Sequence, residues 1–169
     1  MGKILLFLSP LILFGCVSAP KLTQIKSTDI KPITYDYKIH NTSKDTLFSR
    51  ARNHFATIYG DSRSVIRVED KKEGMILGKA AVDWKLKTGS SLIPHIQCTL
   101  NYNVRFMAKE NKARLQLELI EGIPSYSECK WELPTTDGYQ EILASFKSIS
   151  IGVEKSLHGS GSVESFKNF

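Results

Sequence analysis

The sequence predicts an α+β domain of two layers, with helices packed on one face of an antiparallel sheet. Two observations carry that reading. Apolar and polar residues alternate almost without interruption from His95 to Ile120, which is the period of strands with one dry and one wet face. Two other segments, one before the strands and one after them, repeat apolar residues at helical spacing. The expected order is β-α-β-β-β-β-α, with about five strands and both helices on one side.

Ile33 to Ile39 (ITYDYKI) alternates and is rich in β-branched and aromatic residues, as a strand requires. Asn41-Thr42-Ser43 offers helix caps, and Asp45 falls in the first turn, where a carboxylate suits the helix dipole. Leu47, Ala51, Phe55 and Ile58 then share one helical stripe, which Gly60 ends. Val65 to Asp70 reads as a short strand, turned by Lys71-Lys72-Glu73-Gly74. Met75 to Lys87 reads as a longer strand with Ile76, Gly78, Ala80, Val82, Trp84 and Leu86 on one face, and Thr88 to Pro94 reads as a loop.

From His95 onward, Cys98, Leu100, Tyr102, Val104 and Phe106 alternate with Thr99, Asn101, Asn103 and Arg105. Glu110-Asn111 makes a two-residue turn, since Asn tolerates positive φ, and Ala113, Leu115, Leu117 and Leu119 return on the dry side. Pairing Lys109 with Lys112 sets Phe106 against Leu115, Val104 against Leu117 and Tyr102 against Leu119. A slip of one residue would bury the charges. A second helix, Tyr139 to Leu157, supplies Ile142, Leu143, Phe146, Ile149 and Val153 as the other cover of the dry face.

The N-terminus carries a different kind of signal. Lys3, the apolar run Ile4 to Phe14 and small residues before a polar chain have the layout of an export signal. The run is about half of the roughly 20 residues that a membrane-spanning helix needs. Leu13-Phe14-Gly15-Cys16 resembles the lipobox of bacterial lipoproteins, in which the cysteine thiol accepts a diacylglyceryl thioether and, after cleavage, its amine accepts a further acyl chain such as palmitate. More than one chain gives stable anchoring, at about 0.8 kcal/mol per buried methylene. The competing reading is an ordinary signal peptide cut after Ala19. Val17 beside the cysteine, rather than Asp, resembles lipoproteins passed on to the outer membrane of a host with two membranes, facing the periplasm or the surface.

Residues 1–15 are then a lipoprotein signal peptide and 16–32 a polar tether. Residues 33–157 form the domain, and 158–169, with Gly159-Ser160-Gly161-Ser162, form a flexible tail. The formal net charge of +6 falls by one when Lys3 is removed, and the remaining positive charge is scattered, so it favours anionic partners only weakly.

The strand before the first helix, Ser43-Lys44-Asp45-Thr46-Leu47-Phe48 opening that helix, Phe55 inside it, and Val65-Ile66 followed by Asp70, Gly74, Ile76 and Gly78-Lys79 form a pattern that continues in Tyr102-Asn103-Val104 and Lys112-Ala113-Arg114-Leu115. This pattern is similar to a family of exported bacterial domains of unknown function described as having a TATA-binding-protein-like fold. The resemblance covers about Ile33 to Lys155 and leaves the Glu121 to Asp137 connection unmatched. It implies the fold and brings no catalytic residue with it.

The residues themselves speak against DNA. The predicted open face has mixed charges and no exposed aromatic platform, which sheet-surface readers of nucleic acid use. His40, His54, His95 and His158 lack metal-ligand spacing, so neither metal nor cofactor is expected. Asp36, Asp83 and Glu118 could serve a hydrolase only if folding brought them together in a pocket. The leading expectation is a membrane-anchored, non-catalytic binding module of the cell envelope. Its partner would be an envelope protein or an anionic ligand, met through Lys79, Lys85, Asn101, Asn103, Arg105 and Arg114; plain solvation of that face is the alternative. An immunity or inhibitor lipoprotein guarding against a toxin or wall hydrolase is the second expectation, and a hydrolase the third. Finally, Cys98 and Cys129 are an even pair in an oxidising compartment. Cys98 would lie beside Trp84, and a reversal at Pro124-Ser125 would let Cys129 reach it; otherwise Cys98 is a small buried hydrophobe and Cys129 is exposed.

Overall fold

A computed structural model describes residues 22–60 and 65–161. The expected signal peptide, Cys16 and the last eight residues of the expected tail lie outside the described residues. The strands are β1 (Ile33–Lys38), β2 (Ile66–Asp70), β3 (Met75–Lys87), β4 (His95–Lys109) and β5 (Lys112–Ile120); the helices are α1 (Lys44–Ile58) and α2 (Thr136–Leu157). They form a five-stranded antiparallel sheet in the order β1-β5-β4-β3-β2. Chain neighbours pair except at β1, which lies against β5, so α1 carries the chain from one sheet edge to the other.

The β4–β5 register is the one the alternation requires: Lys109 pairs with Lys112, Phe106 with Leu115, Val104 with Leu117 and Tyr102 with Leu119. Asn111 closes the turn at φ 63°. Leu100, Tyr102, Val104, Phe106, Leu115, Leu117 and Leu119 are all buried. Both helices cover that face, with α1 over β4 and β5 and α2 over β3. Phe55 of α1 meets Phe106 edge-on at 6.0 Å, and Phe146 of α2 meets Tyr102 at 4.9 Å between ring centroids. Such pairs contribute about 0.5–1.5 kcal/mol beyond the area they bury.

Polar ties fix the helices to the sheet and to each other. The Tyr37 hydroxyl shares a hydrogen bond of 2.9 Å with Ser150 Oγ, which holds β1 to α2. Burial pushes that phenol up to about 12 although the serine contact pulls it down. Arg50 of α1 donates to the Leu157 carbonyl at 2.7 Å, and Ser156 of α2 donates back to the Arg50 carbonyl at 3.0 Å.

α1 is capped by Ser43, whose hydroxyl accepts from the Thr46 amide at 3.2 Å. Its buried residues are Leu47, Phe48, Ala51 and Phe55. Phe48 takes the place expected for Ile58, which is 40% exposed at the helix end, where the stripe has run past the sheet. In α2 likewise Leu143 stays outside the core, while Ile142, Phe146, Val153 and Leu157 enter it.

α2 begins three residues before the expected Tyr139. Thr135 caps it by accepting from the Gly138 amide at 3.1 Å, and Asp137 sits in the first turn. Gly138 is there because the Trp84 ring packs against its Cα: a Cβ would lie 2.3 Å from Trp84 Cε3. The helix start is thus set by its Thr135 cap and Asp137, while packing against Trp84 selects glycine at position 138.

Both ends of the domain extend further than the residue pattern indicated. In the stretch read as a tether, the Ile25 amide donates to the Pro134 carbonyl at 3.0 Å, and the Thr136 amide donates to the Thr23 carbonyl at 2.9 Å. The Gln24 side chain donates to the Leu133 carbonyl at 2.9 Å, Ser27–Asp29 forms a 3-10 turn, and Ile30 packs against the core. These contacts are mostly backbone bonds, which leave no periodicity in the side chains. At the C-terminus the first residues of the expected tail cap α2: Gly159 (φ 82°) donates to Ser156 and Ser160 donates to Lys155, the paired bonds of a Schellman motif.

Cys98 and Cys129 are joined as a disulfide, with Cα atoms 5.2 Å apart and a sequence separation of 31. The Ser127 amide donates to the Pro124 carbonyl at 2.9 Å, which makes the reversal that returns Cys129 to β4. Ser127 Oγ accepts from the Thr99 amide at 3.1 Å, so the connection covers the part of β4 that β5 is too short to reach.

Two measurements probe this architecture. Leu117→Asp puts an unpaired carboxylate on the dry face and should cost about 4 kcal/mol, whereas Gln116→Asp on the wet face should cost less than about 1 kcal/mol; equal melting temperatures would overturn the register. The unreduced protein should weigh two hydrogens less than the reduced one, and Cys129→Ser should lower stability by about 3 kcal/mol. Two free thiols in fresh protein would contradict the bond.

Candidate interaction face

The open face of the sheet consists of cross-strand rows, and those rows decide which of the expected residues meet. Lys79 of β3 pairs with Asn103 of β4, which pairs with Glu118 of β5. Next along, towards the hairpin turn, Leu77, Arg105, Gln116 and Thr34 form a row, and then Met75, Met107, Arg114 and Asp36. Asn101 lies on the other side of the Asn103 row, opposite Ala81 and Ile120. Five of the six expected residues therefore form one patch. Lys85 is opposite Gln97, six residues further along β3 and about 20 Å from Lys79.

Most of that patch is already paired within the chain. Arg105 reaches Glu118 at 2.7 Å and Gln116 at 2.8 Å, and Gln116 donates onward to Thr34 at 3.2 Å. Arg114 grips Asp36 through two bonds of 2.6 and 2.9 Å. That grip holds the Asp36 carboxyl below its ordinary range and raises the guanidinium. The pair is exposed, so salt screens it. Asn101 accepts from the Tyr126 hydroxyl at 2.6 Å. Tyr126 is 61% exposed, so the face carries one aromatic at its margin, which strand alternation alone did not supply. Lys79 and Asn103 have no side-chain hydrogen bond or ion pair among the described residues.

The three acidic residues considered for hydrolysis do not converge. Asp36 is held by Arg114, Glu118 by Arg105, and Asp83 by Thr99 and Gln97 at 2.6 and 2.8 Å. They sit on three separate rows. Among the described residues no three His, Cys, Asp or Glu side chains stand close enough to hold a metal ion.

The end of the sheet at the hairpin turn holds what residue-by-residue reading missed. Lys38 of β1 pairs with Lys112 of β5, which pairs with Lys109 of β4, so three lysines line up across three strands. None of the three is in an ion pair among the described residues. Like charges directly opposite each other destabilise a strand pair. With Arg114, Asp36 and Met107 they line a shallow groove of about 420 Å³. Half of this row was visible in the hairpin, whose register already pairs Lys109 with Lys112. The rest depended on β1 lying beside β5, which no local pattern specifies.

Half-buried Met75, Leu77 and Met107 form the β3 side of these rows, with Val68 45% exposed beside Leu77. The face is thus amphipathic: an apolar strip with an internally satisfied Arg105 network on one side and unpaired lysines at the end.

A family model for DUF4468, a domain of unknown function with TBP-like fold, matches residues 34–121. A DUF4468 family protein from Bacteroides ovatus, solved by crystallography, is similar in structure at a TM-score of 0.59 and 11% identity, over 85% of this chain and 92% of that one. A TBP-like protein from Parabacteroides distasonis is similar at a TM-score of 0.46 and 16% identity, over 88% and 94%. No curated protein matches the chain. The first likeness shows the fold at an identity too low to carry residue roles across. With its strand order, register and two covering helices on the page, and the family model spanning just over half of its length, the chain belongs to the DUF4468 family of domains of unknown function with a TBP-like fold.

Proposed function

We propose that this domain is a non-catalytic binding module of the cell envelope, anchored through lipid on Cys16, that takes a partner bearing acidic groups at the hairpin end of its open sheet face. The observation that carries the binding reading is the row Lys38–Lys112–Lys109 above the groove floored by Met107. Three cations held side by side, with Asp36 engaged by Arg114 and the Glu110 carboxylate accepting from the Lys44 amide, leave net positive potential at a row that has no ion pair among the described residues. An incoming carboxylate or phosphate would remove the repulsion between the strands and add its own attraction. Met107 and the apolar strip beyond it give a non-polar group on the same partner somewhere to rest.

The anchor reading is supported by the run Ile4 to Phe14 ahead of Gly15-Cys16, and by Val17 after it, which favours an outer-membrane destination where the host has one. Among the described residues no helix is long and apolar enough to cross a membrane.

Titrating isotope-labelled protein with a poly-glutamate peptide at low salt should move the amides of Lys38, Lys109, Lys112 and Arg114 first. Lys38→Glu combined with Lys112→Glu should abolish those shifts while leaving the fold intact. Lys85→Glu, about 40 Å from the lysine row along the strands, should leave them unchanged. Shifts spread evenly over the surface, or shifts that survive the double reversal, would refute the site.

A further inference from the structure

The end of the sheet opposite the hairpin carries apolar side chains that the domain itself does not use. Leu92 is 90% exposed and Ile93 is 59% exposed, at the tip of the loop between β3 and β4. No other large hydrophobic residue described is as exposed as Leu92. The loop springs from the last pair of the two strands, Lys87 opposite His95.

That loop stands beside the point where the chain comes in from the N-terminus. The Lys87 ammonium binds the Asp137 carboxylate at 2.8 Å. Asp137 follows Thr136, whose amide donates to the Thr23 carbonyl. Leu22, the first residue described, is itself 40% exposed. Leu22 follows Cys16 by only six positions, and six steps of chain reach about 21 Å at full extension. Lipid on Cys16 therefore keeps Leu22 within about 21 Å of the acylated cysteine, which makes this the end of the domain nearest the bilayer.

From these observations we infer that the β3–β4 loop is a second membrane contact, with Leu92 and Ile93 seated in the lipid interface beside the anchor. This rests on the anchor reading above and adds a partner surface to it. Lipid is the occupant the geometry selects, because the short reach from Cys16 makes the end of the domain that carries this loop the end nearest the bilayer. Exposed lysine at the base of the loop, Lys85, suits the same boundary, where a long side chain lies along apolar surface and keeps its charge in water. The inference also orients the molecule. The fifteen residues of β4 from His95 to Lys109 span about 45 Å, so the lysine row faces away from the membrane, where a soluble or wall-bound partner would meet it.

The test uses full-length protein purified from membranes, with Leu92→Cys or Glu110→Cys labelled by an environment-sensitive fluorophore. Cys16 is blocked by its thioether and Cys98 and Cys129 by their bond, so the new thiol is the one that reacts. In vesicles of phosphatidylethanolamine and phosphatidylglycerol, emission at position 92 should shift to the blue, and nitroxide-labelled lipid should quench it several-fold more than at position 110. Water-like emission at position 92 in acylated protein overturns the loop contact and leaves the anchor standing. An N-terminal peptide without acyl chains overturns the anchor reading itself. A blue shift that follows protein concentration without vesicles makes a second copy the occupant and also ends the proposal.

Discussion

The constraint on which this fold depends is the one-sidedness of the β4–β5 hairpin. Every second residue from Cys98 to Ala108 and from Ala113 to Leu119 is buried, and the residues between them are polar or half-exposed. A shift of one position would exchange Phe106 for Arg105 and Leu117 for Gln116. With that register fixed, the dry face has a definite position. The helices then have one surface to cover, and β1 and β3 have defined edges to join. Aromatic contacts from α1 and α2 land on Phe106 and Tyr102, two residues of this same hairpin.

The same constraint arranges the open face. Because the strands hold their register, Arg105 stands opposite Gln116 and beside Glu118, and Arg114 stands opposite Asp36. Arg105, Glu118, Arg114 and Asp36 are thereby spent on one another inside the sheet, whereas at the hairpin end the register brings lysine against lysine twice. A local net charge can thus arise on a face whose overall balance is unremarkable.

What could be read in the sequence and what could not divide along a physical line. The hairpin, its Asn111 turn and the Trp84–Cys98 pairing are local consequences of period-two alternation, and each could be read in advance. The Ser43 cap and the Leu47–Ala51–Phe55 stripe follow from the helical period in the same way. The placement of β1 beside β5 is a tertiary choice with no local signature, so the contribution of Lys38 to the lysine row stayed hidden. Thr23 to Ile25 and Gly159 to Ser160 bind through backbone groups that every residue carries. The glycine at 138 has no local reason, and the Trp84 ring packed against it supplies one. Leu92 and Ile93 were visible as apolar residues in a loop, but their meaning depended on where the N-terminal chain enters.

The claim at the centre of this account is that the hairpin holds the rest of the domain, and residue-resolved amide hydrogen exchange tests it most directly. Amides of Tyr102 to Phe106 and Leu115 to Leu119 should exchange only through global unfolding, while the edge strand β2 and the ends of α2 open first. If the hairpin amides exchange through local opening, faster than those in the middle of α2, the domain is held together elsewhere and the account is wrong.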